Sequence, residues 1–316
     1  MMKITVLDSA TLGADLDLSP LGELGEVKCY THTSSEETPC HCSGSDVLIL
    51  NKVKINENTL PDTGNIKLIC LFATGYDNVD LDYCRKKGIG VCNVVGYSTD
   101  SVAQVTVAMV LYLANNLKAF TRYVSSGNYT RSGVANYLVP TYKELSGKTW
   151  GIVGCGNIGS SVGRVARSLG CKVLANKRTP GGEFENVDID TLCKESDIIT
   201  IHTPLSDATR GLIGKERIAL MKKNVIIVNV ARGAVTDEAA IAKAVAAGDI
   251  GGFGADVYST EPFGEDHPFS SIMHLDNVCL TPHMAWGAHE ARQRCLDEII
   301  KNITAFTCGE KRNRVD

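Results

Sequence analysis

Short runs of apolar residues recur along the chain. Each ends in a polar or glycine-containing turn, and stretches with helical spacing lie between them. In the first third these runs cover residues 4–7, 46–50 and 67–72, with 88–92 as a weaker fourth. A second series follows at 149–153, 172–176, 197–202, 224–230, 252–257 and 278–280. Strands alternating with helices are the mark of parallel sheets with helices on both faces, so the pattern predicts an α/β fold of two doubly wound parallel sheets.

Two helical stretches stand apart. Residues 102–123 are apolar nearly all round, with Val105, Val107, Met109, Val110, Leu111 and Leu113. A helix without a polar face is buried between layers or against a second subunit. Ser101 and Gln104 at its start have the spacing of a capping box. A polar, glycine-containing segment, 125–139, separates this helix from the second series of strands. Residues 288–307 carry Ala291, Cys295, Ile299, Ile303 and Phe306 at helical spacing, and this helix is expected to pack back on the first domain. At 316 residues the chain is long enough for two domains. The expected division is a first domain of 1–99 with 287–316, into which a second, 100–286, is inserted.

Composition narrows the function. A formal charge of −4 and a pI near 6.0 argue against a nucleic-acid groove. No apolar run is long enough to span a bilayer. The chain opens on a short strand-like run with no secretory pattern, so the twelve cysteines are expected to be reduced thiols in the cytoplasm. Cys40 and Cys42 flank His41, but no second ligand pair follows at zinc-finger spacing, and no metal is expected.

The strongest local signal is Gly154, Gly156 and Gly159 in Gly154-Cys155-Gly156-Asn157-Ile158-Gly159, placed after an apolar strand and opening a helix. In that context the first glycine permits the tight turn, the second lets a pyrophosphate approach, and the third lets helix and strand pack closely. The N–H groups of Asn157 and Ile158 then lie at the positive end of the helix dipole. An NAD site calls for an acidic residue about 20 positions on. Here the next strand ends in Lys177-Arg178-Thr179, two cations and a hydroxyl. These suit the 2′-phosphate of NADP, so NADP is favoured over NAD.

Three further residues follow strands. Arg232 ends Asn229-Val230-Ala231-Arg232, Glu261 lies shortly after Asp256-Val257, and His283 closes Thr281-Pro282-His283. Ligands of open α/β sheets sit outside the carboxyl ends of the strands, so three loops on one edge can bring these side chains together. Carbonyl reduction needs such a set: a histidine as acid, a carboxylate to orient it, and an arginine fork for an α-keto carboxylate. In the first domain, Ala73-Thr74-Gly75 after a strand offers backbone N–H groups to an anion, and Lys52 adds a cation on the same edge.

Taken in order, these stretches resemble the D-isomer-specific 2-hydroxyacid dehydrogenases over nearly the whole chain. Ala73-Thr74-Gly75-Tyr76-Asp77-Asn78, the loop from Gly154, His202-Thr203-Pro204-Leu205, Asn229-Val230-Ala231-Arg232-Gly233, Glu261-Pro262 and Thr281-Pro282-His283 carry the likeness. Within the family, Tyr97-Ser98-Thr99-Asp100, His283-Met284-Ala285-Trp286 and Glu290-Ala291-Arg292 look most like the glycerate dehydrogenases, also called hydroxypyruvate reductases. The resemblance implies a Rossmann cofactor domain inserted into a flavodoxin-like substrate domain. It implies that Arg232 binds substrate, Glu261 supports His283, and His283 donates the proton. It assigns Thr203 and Pro204 to the cofactor cleft, and Val230, Ala231 and Asp256 to the nicotinamide carboxamide. It also implies a homodimer built on the helix after Asp100. The expected reaction is reduction of hydroxypyruvate or glyoxylate. D-Lactate, a sugar 2-keto acid or phosphite as substrate, and a dinucleotide-sensing binding protein on the same fold, remain open at this point. Formate dehydrogenases fit less well, because they place Gln where Glu261 stands.

Overall fold

The structure is a computed structural model that describes residues 1–179 and 181–316. The chain divides into two compact units, Met1–Ser98 with Trp286–Asp316, and Thr99–Ala285. Each is an α/β unit built on one parallel sheet.

The first unit contains β1 (Lys3–Val6), β2 (Glu26–Cys29), β3 (Val47–Leu50), β4 (Leu68–Leu71) and β5 (Gly90–Cys92), in the order β2-β1-β3-β4-β5. This is the flavodoxin-like order. Alternate residues serve opposite faces, as strand geometry requires. Val47 and Ile49 join a core with Leu296, Ile299 and Ile303 of the final helix His289–Thr307, whereas Leu48 and Leu50 meet Leu60, Ile66 and Cys84. Each fully buried Leu or Ile contributes about 1.5–3 kcal/mol, which fixes that helix on its sheet. Residues 314–316 cover the β5 edge. Cys92 and Arg314 form an antiparallel bridge, Val315 N–H donates to the Val91 carbonyl at 2.9 Å, and Val91 N–H donates to Asp316 Oδ1 at 2.8 Å.

The second unit contains β6 (Thr149–Val153), β7 (Lys172–Asn176), β8 (Glu185–Asn186), β9 (Ile198–Ile201), β10 (Ile226–Asn229), β11 (Gly252–Ala255) and β12 (Val278–Leu280). Their order, β12-β11-β10-β9-β6-β7-β8, is the Rossmann arrangement with a seventh strand. Trp150, Ile152 and Val228 pack with Met109, Val110 and Val162 on one face, and Ile199, Ile227 and Phe253 pack with Leu192, Ile241 and Val245 on the other.

The expected α/β class with two doubly wound sheets is what the structure shows, but several local expectations are corrected. Strand β2 was not expected: Glu26-Val27-Lys28-Cys29 is a mostly exposed edge strand without an apolar run. Strand β8 is too short, at two residues, to leave a pattern. The single helix expected over 102–123 is two, Thr99–Ala114 and Leu117–Ser125. Between them Asn116 takes φ 53°, a left-handed conformation that asparagine tolerates better than most residues. Ser101 and Gln104 form no capping box, because the helix already begins at Thr99, and the Ser101 hydroxyl donates to the Ala285 carbonyl at 2.5 Å. Val102, Ala103, Met109, Val110 and Leu113 of that helix are buried within the unit. The exposed apolar residues lie further on, with Val124, Val134, Leu138 and Val139 each more than half exposed. In the segment Cys40-His41-Cys42, Cys42 is buried, while His41 stacks on Tyr30 and bonds Thr33 Oγ1 through Nδ1 at 2.9 Å.

The Asp316 carboxyl is held down to about 2, first by the Arg314 guanidinium and also by Val91 N–H. A depressed carboxyl stabilises the fold fully above its ordinary value near 3.8, and that stabilisation is lost as pH falls through about 2. Asp316→Asn is expected to lower the unfolding free energy in urea by about 1 kcal/mol at neutral pH. The gap between variant and wild type should close in titrations repeated at successively lower pH.

Candidate active site

In the second sheet the strand order reverses between β6 and β9, so the loops after these two strands diverge and open a crevice at their carboxyl ends. Gly154 follows β6 with φ +89°, and a Cβ there would lie 2.5 Å from the Thr203 N atom after β9. A Cβ on Gly159 would lie 2.5 Å from the Gly154 carbonyl oxygen. Gly156 differs, since a Cβ there would meet nothing within 4 Å. It is the N-cap of the helix Asn157–Ser168 and has no side chain to cap it, so the first-turn N–H groups of Asn157, Ile158 and Gly159 point past it without a side-chain partner among the described residues. An open cradle floored by helix N–H groups fits a pyrophosphate, and thus a dinucleotide.

Beside this loop, His202 directly follows β9, with both ring nitrogens buried and no hydrogen-bond partner among the described residues. Burial pulls its pKa down to about 3, so the ring is neutral at working pH. Thr203 is half-buried and Pro204 exposed. At the end of β7, Lys177 N–H donates to Asn186 Oδ1 at 3.1 Å, while Arg178 and Thr179 are exposed.

The loops after β10, β11 and β12 lie side by side along the same edge. After β10, the buried Asn229 side chain shapes the turn, accepting Ala231 N–H at 3.0 Å and donating to the Arg232 carbonyl at 2.9 Å. This holds Val230 and Ala231 in a tight bend and presents Arg232, half-buried, with Nη1 donating to the Ala231 carbonyl at 2.8 Å.

After β11, Asp256 is 1% exposed and ties down the loop after β12. Its carboxylate accepts from Thr281 Oγ1 at 2.6 Å and from the N–H groups of Met284 and Ala285, each at 2.8 Å. Burial holds this carboxyl above its ordinary pKa, opposed by those three donors and by positive charge at His283. The loop so held carries His283 at φ 53°, an uncommon backbone state for a histidine. His283 Nδ1 lies 2.6 Å from Glu261 Oε2, and Glu261 Oε1 accepts Tyr258 N–H at 3.0 Å. The structure therefore brings Glu261 and His283 together as a hydrogen-bonded pair, with Arg232 on the neighbouring strand end.

In the first unit, taken by itself, the order reverses between β1 and β3. The buried Asp8 after β1 accepts the N–H groups of Asn51 at 2.9 Å and Lys52 at 2.6 Å, and burial raises its pKa. The Lys52 residue is exposed. After β4, the Thr74 hydroxyl donates to the Val94 carbonyl at 2.7 Å, whereas the N–H groups of Ala73, Thr74 and Gly75 donate to no acceptor among the described residues.

Comparison with known proteins agrees with this architecture. Residues 107–285 match the model of the D-isomer specific 2-hydroxyacid dehydrogenase NAD binding domain. The chain is 36% identical to a hydroxypyruvate reductase of Blautia hydrogenotrophica, covering 100% of both chains. It is 34% identical to a glycerate dehydrogenase of Methylorubrum extorquens, covering 99% of each. The chain belongs to the D-isomer-specific 2-hydroxyacid dehydrogenase family. Among solved structures, a D-lactate dehydrogenase from Aquifex aeolicus, complexed with NAD and lactic acid, superposes with a TM-score of 0.86 at 30% identity, over 98% of this chain and 96% of that one.

Four polar residues of this family member lay outside the sequence-based site: Asp8, Asn229 as a turn-former, and the buried pair Glu238 and His267, joined at 3.0 Å. A visible signal existed only for Asp8 and Asn229, each a polar residue directly at the end of an apolar run.

The two glycines of the loop should respond differently to substitution. Gly154→Ala is expected to lower the melting temperature, because its φ is left-handed and its Cβ would strike Thr203. Gly156→Val should fold normally yet weaken dinucleotide binding, measured by fluorescence titration, about tenfold or more as its side chain fills the cradle. Normal binding by Gly156→Val would count against the cradle.

Proposed function

We propose that this family member reduces a small 2-keto acid to the D-2-hydroxy acid, with hydroxypyruvate or glyoxylate as substrate. The observation that carries the reading is the Glu261–His283 pair at 2.6 Å beside the Arg232 loop, on the edge where the Gly154 loop forms its cradle. The names of the relatives, hydroxypyruvate reductase and glycerate dehydrogenase, support the choice of substrate.

In this reading Gly154, Gly156, Asn157, Ile158 and Gly159 hold the pyrophosphate, and Thr203 and Pro204 line the cleft beside it. Val230 and Ala231 offer backbone groups to the carboxamide. Asp256 has capacity for one more donor, since two carboxylate oxygens accept about four and three are used internally. When bound, the reduced nicotinamide supplies a hydride to the keto carbon. Arg232 grips the acid group through its planar fork and polarises the keto oxygen. Glu261 fixes the imidazole through Nδ1, so that Nε2 delivers the proton to the keto oxygen as the hydroxyl forms. In the first unit, the N–H groups of Ala73, Thr74 and Gly75, with Lys52, are proposed to bind the acid group of a keto acid.

NADPH is the proposed cofactor. The β7 end carries Lys177, Arg178 and Thr179 in place of a carboxylate, and two cations beside a hydroxyl favour a 2′-phosphate. A homodimer is the proposed assembly. The exposed apolar residues of segment 117–142, Val124, Val134, Leu138 and Val139 among them, support it better than the buried helix Thr99–Ala114 does. Twelve unpaired cysteines support placement in the reducing cytoplasm.

A panel of 2-keto acids assayed with NADH and with NADPH tests the proposal. The expected result is the highest kcat/KM with hydroxypyruvate or glyoxylate and NADPH, and formation of the D-hydroxy acid. Preference for pyruvate would move the assignment toward a D-lactate dehydrogenase. A higher kcat/KM with NADH would overturn the NADP assignment. No turnover of any 2-keto acid, with NADPH still bound, would favour a sensor.

A further inference from the structure

Bonded to the turn that carries Glu261 is a buried carboxylate, Glu238, that the proposed chemistry does not use. Glu238 begins the helix Glu238–Ala247, whose N-cap Asp237 accepts Ala240 N–H at 2.9 Å. A glutamate at this position gains from the helix dipole and is ordinarily solvated. Here its side chain is 8% exposed and turned inward. It accepts three hydrogen bonds: Ser259 N–H on Oε1 at 2.8 Å, the Ser259 hydroxyl on Oε2, and His267 Nε2 at 3.0 Å. The His267 side chain is 7% exposed, and its Nδ1 accepts Phe269 N–H at 3.2 Å, so the proton lies on Nε2 and points at Glu238.

Ser259 is the centre of the turn that delivers Glu261. Tyr258 on one side of it gives its N–H to Glu261 Oε1, and Glu261 Oε2 faces His283. Glu238 lies six positions after Arg232, and between them the backbone of Gly233 packs against the backbone of Tyr258 and Ser259 so closely that no Cβ would fit. One carboxylate therefore clamps the segment carrying Arg232 to the turn carrying Glu261. We infer that Glu238, held by His267, is a positioning residue that sets the spacing between the substrate anchor and the proton-donating pair. The inference rests on the proton-transfer reading above.

Replacing Glu238 by glutamine keeps the shape but turns an NH2 toward donors that need an acceptor, so the turn should loosen. His267→Asn is the milder second variant: its amide oxygen can still accept Phe269 N–H, but it no longer reaches Glu238. Both full-length variants are compared with wild type by keto-acid kinetics, by NADPH titration, and by the low-field NMR proton of His283 Nδ1. For Glu238→Gln, kcat is expected to fall about tenfold or more, with the NADPH Kd within about threefold of wild type and the low-field proton lost or shifted. A smaller fall in the same direction is expected for His267→Asn, and it decides the matter if Glu238→Gln does not fold. Wild-type kcat together with an unmoved proton signal in folded variants would overturn the inference, as would equal losses of kcat and NADPH affinity. Turnover by wild type tests the proton-transfer reading separately, and the NMR signal reports on the brace whether or not a substrate is turned over.

Discussion

The contact of 2.6 Å between His283 Nδ1 and Glu261 Oε2 organises the carboxyl edge of the second sheet. An imidazole that faces one carboxylate through one nitrogen has the other nitrogen directed by geometry, and that geometry must be held from outside the pair. Asp256 holds the histidine side. It accepts the Thr281 hydroxyl and two N–H groups just beyond His283, which keeps the histidine backbone in its left-handed state. Such a state costs of order 1–3 kcal/mol and persists only where its surroundings over-determine it. Burying the Asp256 carboxylate is itself unfavourable, as its raised pKa shows, and the three donors offset that cost.

The carboxylate side is held by Glu238 and Tyr258, so three buried or half-buried acids act in series along three neighbouring loops. The sheet makes this possible. Strands β10, β11 and β12 are parallel neighbours, so their carboxyl ends, and the loops that follow, share one edge. The same topology puts the open cradle at Gly156 where the order reverses between β6 and β9. The local cations at Lys177 and Arg178 run against the net charge of −4, which describes the whole surface and says little about the charge at one turn.

Much of the fold was legible in the chain because buried parallel strands leave continuous apolar runs. Strands β6, β7 and β12 begin and end where those runs do. The exposed edge strand β2 and the two-residue β8 leave no such trace. The break at Asn116 was hidden because the residues on both sides keep helical spacing. At the site, Arg232, Glu261 and His283 could be picked out because each follows a strand. What they touch could not. Asp256 meets partners 25 to 29 positions away, and Glu238 meets Ser259 and His267 at 21 and 29. No periodicity encodes such distances. A glutamate in the first turn of a helix looks like an ordinary dipole-favoured surface residue until the fold turns it inward.

The proposed role of His283, to give up the proton while the dinucleotide is held elsewhere, is open to direct measurement. The direct measurement is kcat for His283→Ala with the preferred keto acid, alongside the NADPH Kd of the same protein. The expected result is a kcat lower by about 10²–10⁴-fold, the range for loss of a general acid, with a near-normal Kd. A kcat close to wild type, or a loss of cofactor binding as large as the loss of turnover, would contradict it.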